Sequence, residues 1–299
     1  MKLILKKISY LFIKILYIIP KKITALFSIF HSTFKDAEYD FFNSSIDNTT
    51  ISVVHVTRDK IKVELEFFTP NPLCAFRANT FSTKEPETLE WIEEFGKNGA
   101  VLYDIGSNVG IYSIYHSVIN QGEVFSFEPS FFNLKILAKN INLNDSQELI
   151  TVISTPLSAK NQINNFKYKD PIEGGALSVF GQDFGFDGNK IDSNLSVKVI
   201  GQTLDSLVSD KTIGRLPNFI KIDVDGIEHL ILSGAITTLK QSSCKSILVE
   251  VNDNFEDQAL KVKSILEGCG YVLRNKLHSK MFDDDEVFSN TYNQIWIRR

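Results

Sequence analysis

Cysteine, methionine and long apolar runs are scarce in this 299-residue chain, and each scarcity excludes something. The three cysteines, Cys74, Cys244 and Cys269, are scattered and form no C-x-x-C pair. That leaves no disulfide framework and no cysteine metal cage, and it suits a reducing compartment such as the cytoplasm. The apolar run from Ile8 to Ile19 is interrupted by Lys14. It falls short of the roughly twenty residues a membrane-spanning helix needs. Pro20-Lys21-Lys22 follows it where a signal peptide would place small residues for cleavage. Basic residues are not in excess either. The net charge of −4 argues against nucleic-acid partners, which need a broad basic face.

The charge is unevenly spread. Residues 1–35 hold seven lysines and no acid, which leaves 25 basic against 36 acidic residues in the remainder. Lys7, Lys14 and Lys21 are seven apart, so on a helix they form one stripe within an otherwise apolar surface. Residues 1–35 are therefore predicted to be a basic, apolar N-terminal helix, broken or kinked at Pro20. Such a helix suits peripheral contact of residues 1–30 with the inner face of a membrane, where lysines meet anionic headgroups. Packing on its own domain is the alternative. Residues 36–85 are predicted to be a lead-in β region with a hairpin turn at Thr57 to Lys60. An acidic run, Asp283 to Glu286, is expected in a solvated loop.

From residue 86 to 299 the chain alternates helix and strand. Apolar runs start at Val101, Val124, Ile150, Phe219 and Ser246, with helical spacing between them. This predicts an α/β fold: a mostly parallel sheet with helices on both faces. Residues 160–195 are rich in Asn, Gly and Asp and irregular, as expected of a lid or substrate loop.

The most informative segment is Val101-Leu102-Tyr103-Asp104-Ile105-Gly106-Ser107-Asn108-Val109-Gly110. A strand ends in an acid, a glycine-spaced turn follows, and a helix opens. That order presents a nucleoside-like cofactor at the C-terminal end of a strand. Glycines there allow close approach of backbone and tolerate positive φ. The spacing is D-x-G-x-N-x-G, not the G-x-G-x-x-G that sets a pyrophosphate against a helix N-terminus. Asp104 would repel a pyrophosphate but suits a cationic ligand without phosphate, such as S-adenosyl-L-methionine. Glu128, at the end of the second strand, suits the paired hydroxyls of a ribose.

Taken together, YDIGSNVGIYS, FSFEPS, TLDSL and IKIDVDGIEHLILSGA, in that order, resemble the FkbM family of S-adenosylmethionine-dependent methyltransferases. The likeness runs over roughly residues 77 to 297. It implies a Rossmann-like class I methyltransferase fold with a seven-stranded sheet. It also implies methylation of hydroxyl oxygens on sugars, glycans or small metabolites. By position, Asp104, Gly106, Ser107, Asn108 and Gly110 would surround the methionine part, Glu128 the ribose, and Ser154 and Thr155 the edge of the adenine. Asp223 would sit beside the methyl group. Asp225 stands where the family usually has Glu, and Ser107 where Ala is common. Methyl transfer is an in-line displacement, so the protein chiefly aligns the acceptor. A sugar hydroxyl also needs a base, and Asp223, Glu228 and His229 are the candidates. Asp223, Asp225 and Glu250 form an alternative set of oxygens for a divalent cation. Two other readings compete. One is a Rossmann-type NAD-binding oxidoreductase, disfavoured by the missing third glycine. The other is a non-catalytic, membrane-tethered member of the fold, disfavoured by the intact pocket residues. The sequence points to no particular oligomeric state.

Overall fold

A computed structural model describes residues 2–29, 40, 44–45, 48–279, 281, 283 and 288–299. Most of the predicted acidic loop at 283–286 lies outside the described residues. The chain forms two compact units, Met1–Thr49 and Thr50–Arg299.

The first unit contains helix α1 (Lys2–Phe27). The predicted break at Pro20 is corrected: the helix continues through it. Proline removes one backbone donor, and the bonds on either side keep the helical phase. Lys7, Lys14 and Lys21 are exposed, as are Leu5, Ile8, Leu11, Phe12, Ile18 and Ile19. Among the described residues, no helix is long and apolar enough to cross a membrane.

The second unit opens with an antiparallel hairpin, β1 (Thr50–Val56) and β2 (Lys62–Phe68). Helices α2 (Pro72–Asn79) and α3 (Pro86–Phe95) follow. Asn71 caps α2 by accepting from the N–H groups of Leu73 and Cys74, and a proline occupies the first turn of each helix, where no partner for its nitrogen is needed. Then come β3 (Leu102–Ile105), α4 (Ile111–Asn120), β4 (Val124–Phe127), α5 (Phe131–Leu143) and β5 (Ile150–Ile153). An insertion adds β6 (Gln162–Tyr168), β7 (Val179–Phe180) and β8 (Leu195–Gly201). The order resumes with α6 (Leu204–Ser209), β9 (Phe219–Ile222), α7 (Glu228–Ser233), α8 (Ile236–Leu239), β10 (Ser246–Asn252), α9 (Glu256–Gly268), β11 (Tyr271–Leu277) and β12 (Thr291–Arg298).

The main sheet has seven strands in the order β11-β12-β10-β9-β3-β4-β5. The five from β10 to β5 are parallel, and β12 runs antiparallel to both its neighbours. This is the sheet expected of a Rossmann-like class I methyltransferase. The apolar alternation at Val197 to Ile200 forms a strand outside this sheet: β8 pairs with β6 in a separate three-stranded sheet.

The central strands are apolar on both faces because both are covered. Tyr103, Ile105, Ile220, Ile222, Ile247 and Val249 enter one core cluster. Leu102, Phe219 and Leu248 enter the other, with Trp91 and Ile114 from α3 and α4. The chain leaves β3 towards β4 and β5 on one side, and returns through β9 to β10 on the other. The reversal between β3 and β9 opens a gap beyond their carboxyl ends, where α/β sheets hold ligands.

Candidate active site

Gly106 and Asp223 face each other across that gap. The N–H of Asp223 donates to Ile105 O at 3.0 Å. Gly106 has φ +84°, and a Cβ on it would stand 1.9 Å from the carbonyl oxygen of Asp223. Glycine is required twice over, by conformation and by contact. Gly110, also left-handed, caps α4, and a Cβ there would meet Leu137 Cδ1 at 2.3 Å. The Ser107 N–H donates to Phe127 O at 3.0 Å, which ties the loop to the end of β4.

Glu128 organises the loop from the next strand. One carboxylate oxygen accepts from the N–H of Asn108 at 2.8 Å, the other from the N–H of Ser130 at 2.7 Å. Each oxygen keeps a lone pair for a ligand hydroxyl. Burial pushes the Glu128 carboxyl up to about 7, against the pull of those two N–H groups. Asn108 reaches over the gap and donates to Gly175 O at 2.8 Å, while its Oδ1 is buried without a partner.

Two crevices meet here. The first has an empty volume of about 610 Å³ including its open mouth. Phe127, Pro156, Leu157, Phe166, Phe180 and Ile231 give it apolar walls, Glu128 and Asp225 give it acids, and among the described residues no Lys or Arg lines it. Thr155 also lines it. The second, of about 1140 Å³, is wider and mixed: Arg77, Lys84, Glu85, Glu250 and Asn293 share its lining with Phe76, Leu277 and Phe288. Gly106, Asn108, Ala176, Asp223 and Asp225 line both.

A segment of the insertion roofs the junction. Gly174 O accepts from Arg77 Nε at 2.9 Å, and Gly174 N–H donates to Asn133 Oδ1 at 2.9 Å. Gly175 O takes the side-chain amides of Asn108 and Asn133. The Leu177 N–H donates to Asp225 Oδ2 at 2.6 Å. Burial and the neighbouring Asp223 push the Asp225 carboxyl up to about 6.

Under the junction lies a buried charge cluster. Lys221 is almost fully buried in β9, beside Asp104 in register, and its ammonium donates to Asp223 Oδ2 at 2.9 Å. Burial opposes the ammonium charge, but Asp223, Asp104 and Glu85 hold it on and raise its pKa. Burial likewise works against the Asp223 carboxylate, yet Lys221 and Lys84 keep it below the usual range. Asp104 does not reach either crevice. It is fully buried, accepts from Ser113 Oγ at 2.6 Å, and leaves Oδ1 unpartnered. Burial raises its pKa despite Lys221.

The structure thus brings Gly106, Asn108, Glu128 and Asp223 together at the crevices. It does not bring Glu228 or His229 to them. Glu228 Oε1 accepts from the N–H groups of Val224 and Gly226, each at 3.2 Å, and its other oxygen takes Gln258 Nε2. It pins the loop after β9, with burial pushing its carboxyl up to about 7. His229 is buried edge-on against Phe255, and burial lowers its pKa to about 4. No cluster of three or more His, Cys, Asp or Glu among the described residues has metal-holding geometry. Sequence reasoning passed over Asn133, Arg77, Lys84 and Lys221. Only Lys221 carried a signal: a lysine inside the apolar strand Phe-Ile-Lys-Ile-Asp.

The methyltransferase FkbM domain matches residues 104–273, more than half of the chain. The chain belongs to the FkbM methyltransferase family. S-adenosyl-L-methionine is the cofactor that comes with it. No curated protein sequence matches. Among solved structures, an FkbM methyltransferase from Methylobacillus flagellatus KT is similar at 15% identity and TM-score 0.44, covering 67% of this chain. The present chain spans 44% of that protein's length. A precorrin-6y C5,15-methyltransferase from Geobacter metallireducens GS-15 is similar at 14% identity and TM-score 0.42, over 72% of this chain and 87% of that one. Aeropyrum pernix fibrillarin, solved with S-adenosyl-L-methionine natively bound, is similar at 11% identity and TM-score 0.41, over 68% of each chain.

The residues present fit the cofactor. The first crevice offers carboxylates, no cation, and the orphaned acceptor Asn108 Oδ1 at its junction with the second. Those features suit a cationic nucleoside and reject a pyrophosphate. When bound, S-adenosylmethionine supplies a methyl group on a sulfonium, a leaving group that needs no acid. Glu128 would hold the ribose, and Gly106, Asn108 and Asp223 the amino-acid end.

Proposed function

We propose that this protein transfers a methyl group to a hydroxyl oxygen of a sugar, glycan or small hydroxylated metabolite. The observation that carries the reading is the meeting of the two crevices at Gly106, Asn108, Asp223 and Asp225. One is apolar with acids at its rim and suits the donor. The other is wider, with charged and amide side chains set among apolar ones, and suits a hydroxylated acceptor. Among the described residues its acids, Glu85, Asp223, Asp225 and Glu250, outnumber Arg77 and Lys84. An uncharged polyol fits that lining better than a phosphate or carboxylate does. The chain's own contribution is alignment: the loop clamped by Glu128 fixes one partner, and the segment Gly174 to Leu177 is tied over the junction by Asn108 and Asp225.

The test is incubation with methyl-labelled cofactor and fractionated glycans and metabolites. Label is expected in a hydroxylated fraction as an alkali-stable ether. Alkali-labile label would reveal a carboxyl ester and overturn the reading, as would binding of NAD without S-adenosylmethionine.

A second reading concerns α1. Its exposed lysines and apolar side chains, with no acid among them, favour docking on an anionic bilayer from the cytoplasmic side. Full-length protein should co-sediment with phosphatidylglycerol vesicles, and a chain lacking residues 1–30 should not. Equal sedimentation of the two would remove the idea.

A further inference from the structure

Among the described residues, four carboxyl groups line the acceptor crevice, and three are already engaged. Asp223 is paired with Lys221. Glu85 accepts from Tyr112 Oη at 2.7 Å and pairs with Lys84. Asp225 accepts from the Leu177 N–H. Glu250 differs. It leaves the inner part of β10 next to Asp223, since Val249 lies opposite Ile222 in the parallel register. It lines the crevice, half-buried, and its carboxyl makes no hydrogen bond or ion pair to any described residue. We infer that Glu250 takes the proton from the acceptor hydroxyl. This rests on the methyl-transfer reading above.

The step balances without a further reactant. The acceptor O–H bond gives its proton to a Glu250 oxygen and its electron pair to the new O–CH3 bond. The S–CH3 bond breaks, and its pair stays on sulfur, which becomes neutral. Neither oxidant nor metal is required.

The surroundings explain how a carboxyl could serve. Burial, then Asp223 and Glu85, push the Glu250 pKa well above the ordinary carboxyl value, and Lys84 opposes them only in part. Asp225 adds to the rise. The described groups facing Glu250 are Asp223 just after β9, Asp225 in the same loop, Glu85 and Lys84 ahead of α3, and Arg77 on α2. In the empty site Glu250 therefore holds its proton more tightly than an ordinary carboxyl does. A cation arriving beside it lowers its pKa and releases the proton. The donor's sulfonium is such a cation, and its demethylated product is not. The base would thus ionise more readily while a methyl group is there to transfer.

The experiment compares proton release on binding S-adenosylmethionine and S-adenosylhomocysteine, by titration calorimetry in buffers of different ionisation enthalpy between pH 6 and 8. The wild type should release between roughly 0.3 and 1 proton per site more with the sulfonium ligand. Glu250→Gln should bind both ligands yet lose that difference. Its methyl transfer to whichever fraction the wild type labels should fall roughly 100- to 10,000-fold. Equal proton release for the two ligands in the wild type, or an undiminished difference in Glu250→Gln, would overturn the assignment. Should Glu250→Gln bind neither ligand, Glu250→Asp decides: the carboxyl restores the difference or the assignment fails. A wild type that binds neither ligand would sink the methyl-transfer reading itself, a separate outcome.

Discussion

Gly106→Ala probes the point on which both crevices depend. Two costs can be worked from the structure. At φ +84° a residue with a Cβ is strained by about 1–2 kcal/mol. The new Cβ would also lie 1.9 Å from Asp223 O and 2.8 Å from Asp223 C, both backbone atoms. Contacts under 3.0 Å essentially never occur, so the ends of β3 and β9 must part by more than 1 Å. The bond from Asp223 N–H to Ile105 O, now 3.0 Å, would be lost at about 1 kcal/mol. The sum, about 2–3 kcal/mol, corresponds to a fall in Tm of roughly 4–12 °C for a unit of this size. S-adenosylmethionine affinity should drop at least about 10-fold, because a shift of that size corresponds to more than 1.4 kcal/mol of lost contact. Thermal unfolding and titration calorimetry read the two effects. Gly214→Ala is the control: nothing lies within 4 Å of its Cβ position, and its Tm should move by less than about 2 °C. A Gly106→Ala protein with wild-type Tm and affinity would refute the close approach of β3 and β9.

Glu128→Gln puts an amide NH2 against one of two N–H donors, so it should weaken S-adenosylmethionine binding about 10- to 100-fold by calorimetry with little change in fold. Lys221→Met leaves Asp104 and Asp223 without their shared cation and should cost about 3–5 kcal/mol in denaturant unfolding; adding Asp104→Asn should recover part of it. The raised carboxyls also set a pH dependence. Glu128 and Glu228 at about 7 and Asp225 at about 6 hold their protons more tightly folded than unfolded. Their contribution is complete below the ordinary carboxyl range and disappears as pH climbs through 6 to 7. Ligand-free Tm should therefore decline between pH 5 and pH 8, and Glu228→Gln should shrink that decline by an amount on the order of 2–3 kcal/mol. A decline of the same size in the variant would remove Glu228 as its source.

What could be read from the sequence was whatever local chemistry decides. The strand ending in Asp104 and the glycine spacing after it specify a tight turn in any context, and that turn formed. The parallel sheet followed from five apolar runs separated by helical ones. The destination of Val197 to Ile200 was not legible, because a strand's pattern says that it pairs but not with which partner. Glu228 and His229 were misplaced for a related reason. Both follow β9 in sequence, but the positive φ at Asp225 and Gly226 turns the chain, and the two side chains leave the crevice. Arg77, Lys84 and Glu250 come from three separate elements, and only the topology brings them to one crevice.

The buried charges make sense as one arrangement. Placing Asp104, Lys221 and Asp223 under a ligand pocket costs several kcal/mol per ion before pairing. An apolar core of the same volume would be at least as stable. What the ions add is a fixed field beneath the junction. Lys221 neutralises two carboxylates from below, so the acids above it, Asp225 and Glu250, are left without a cation of their own beyond the partial help of Lys84 and Arg77. That deficit is the attraction a positively charged donor meets and a neutral product loses. The cluster therefore spends stability on telling two ligands apart by a single charge. Lys84→Met, which removes one of the cations that now satisfy the crevice in part, should widen the affinity gap between S-adenosylmethionine and S-adenosylhomocysteine. A narrowed gap in that variant would mean that discrimination arises from shape and not from the field.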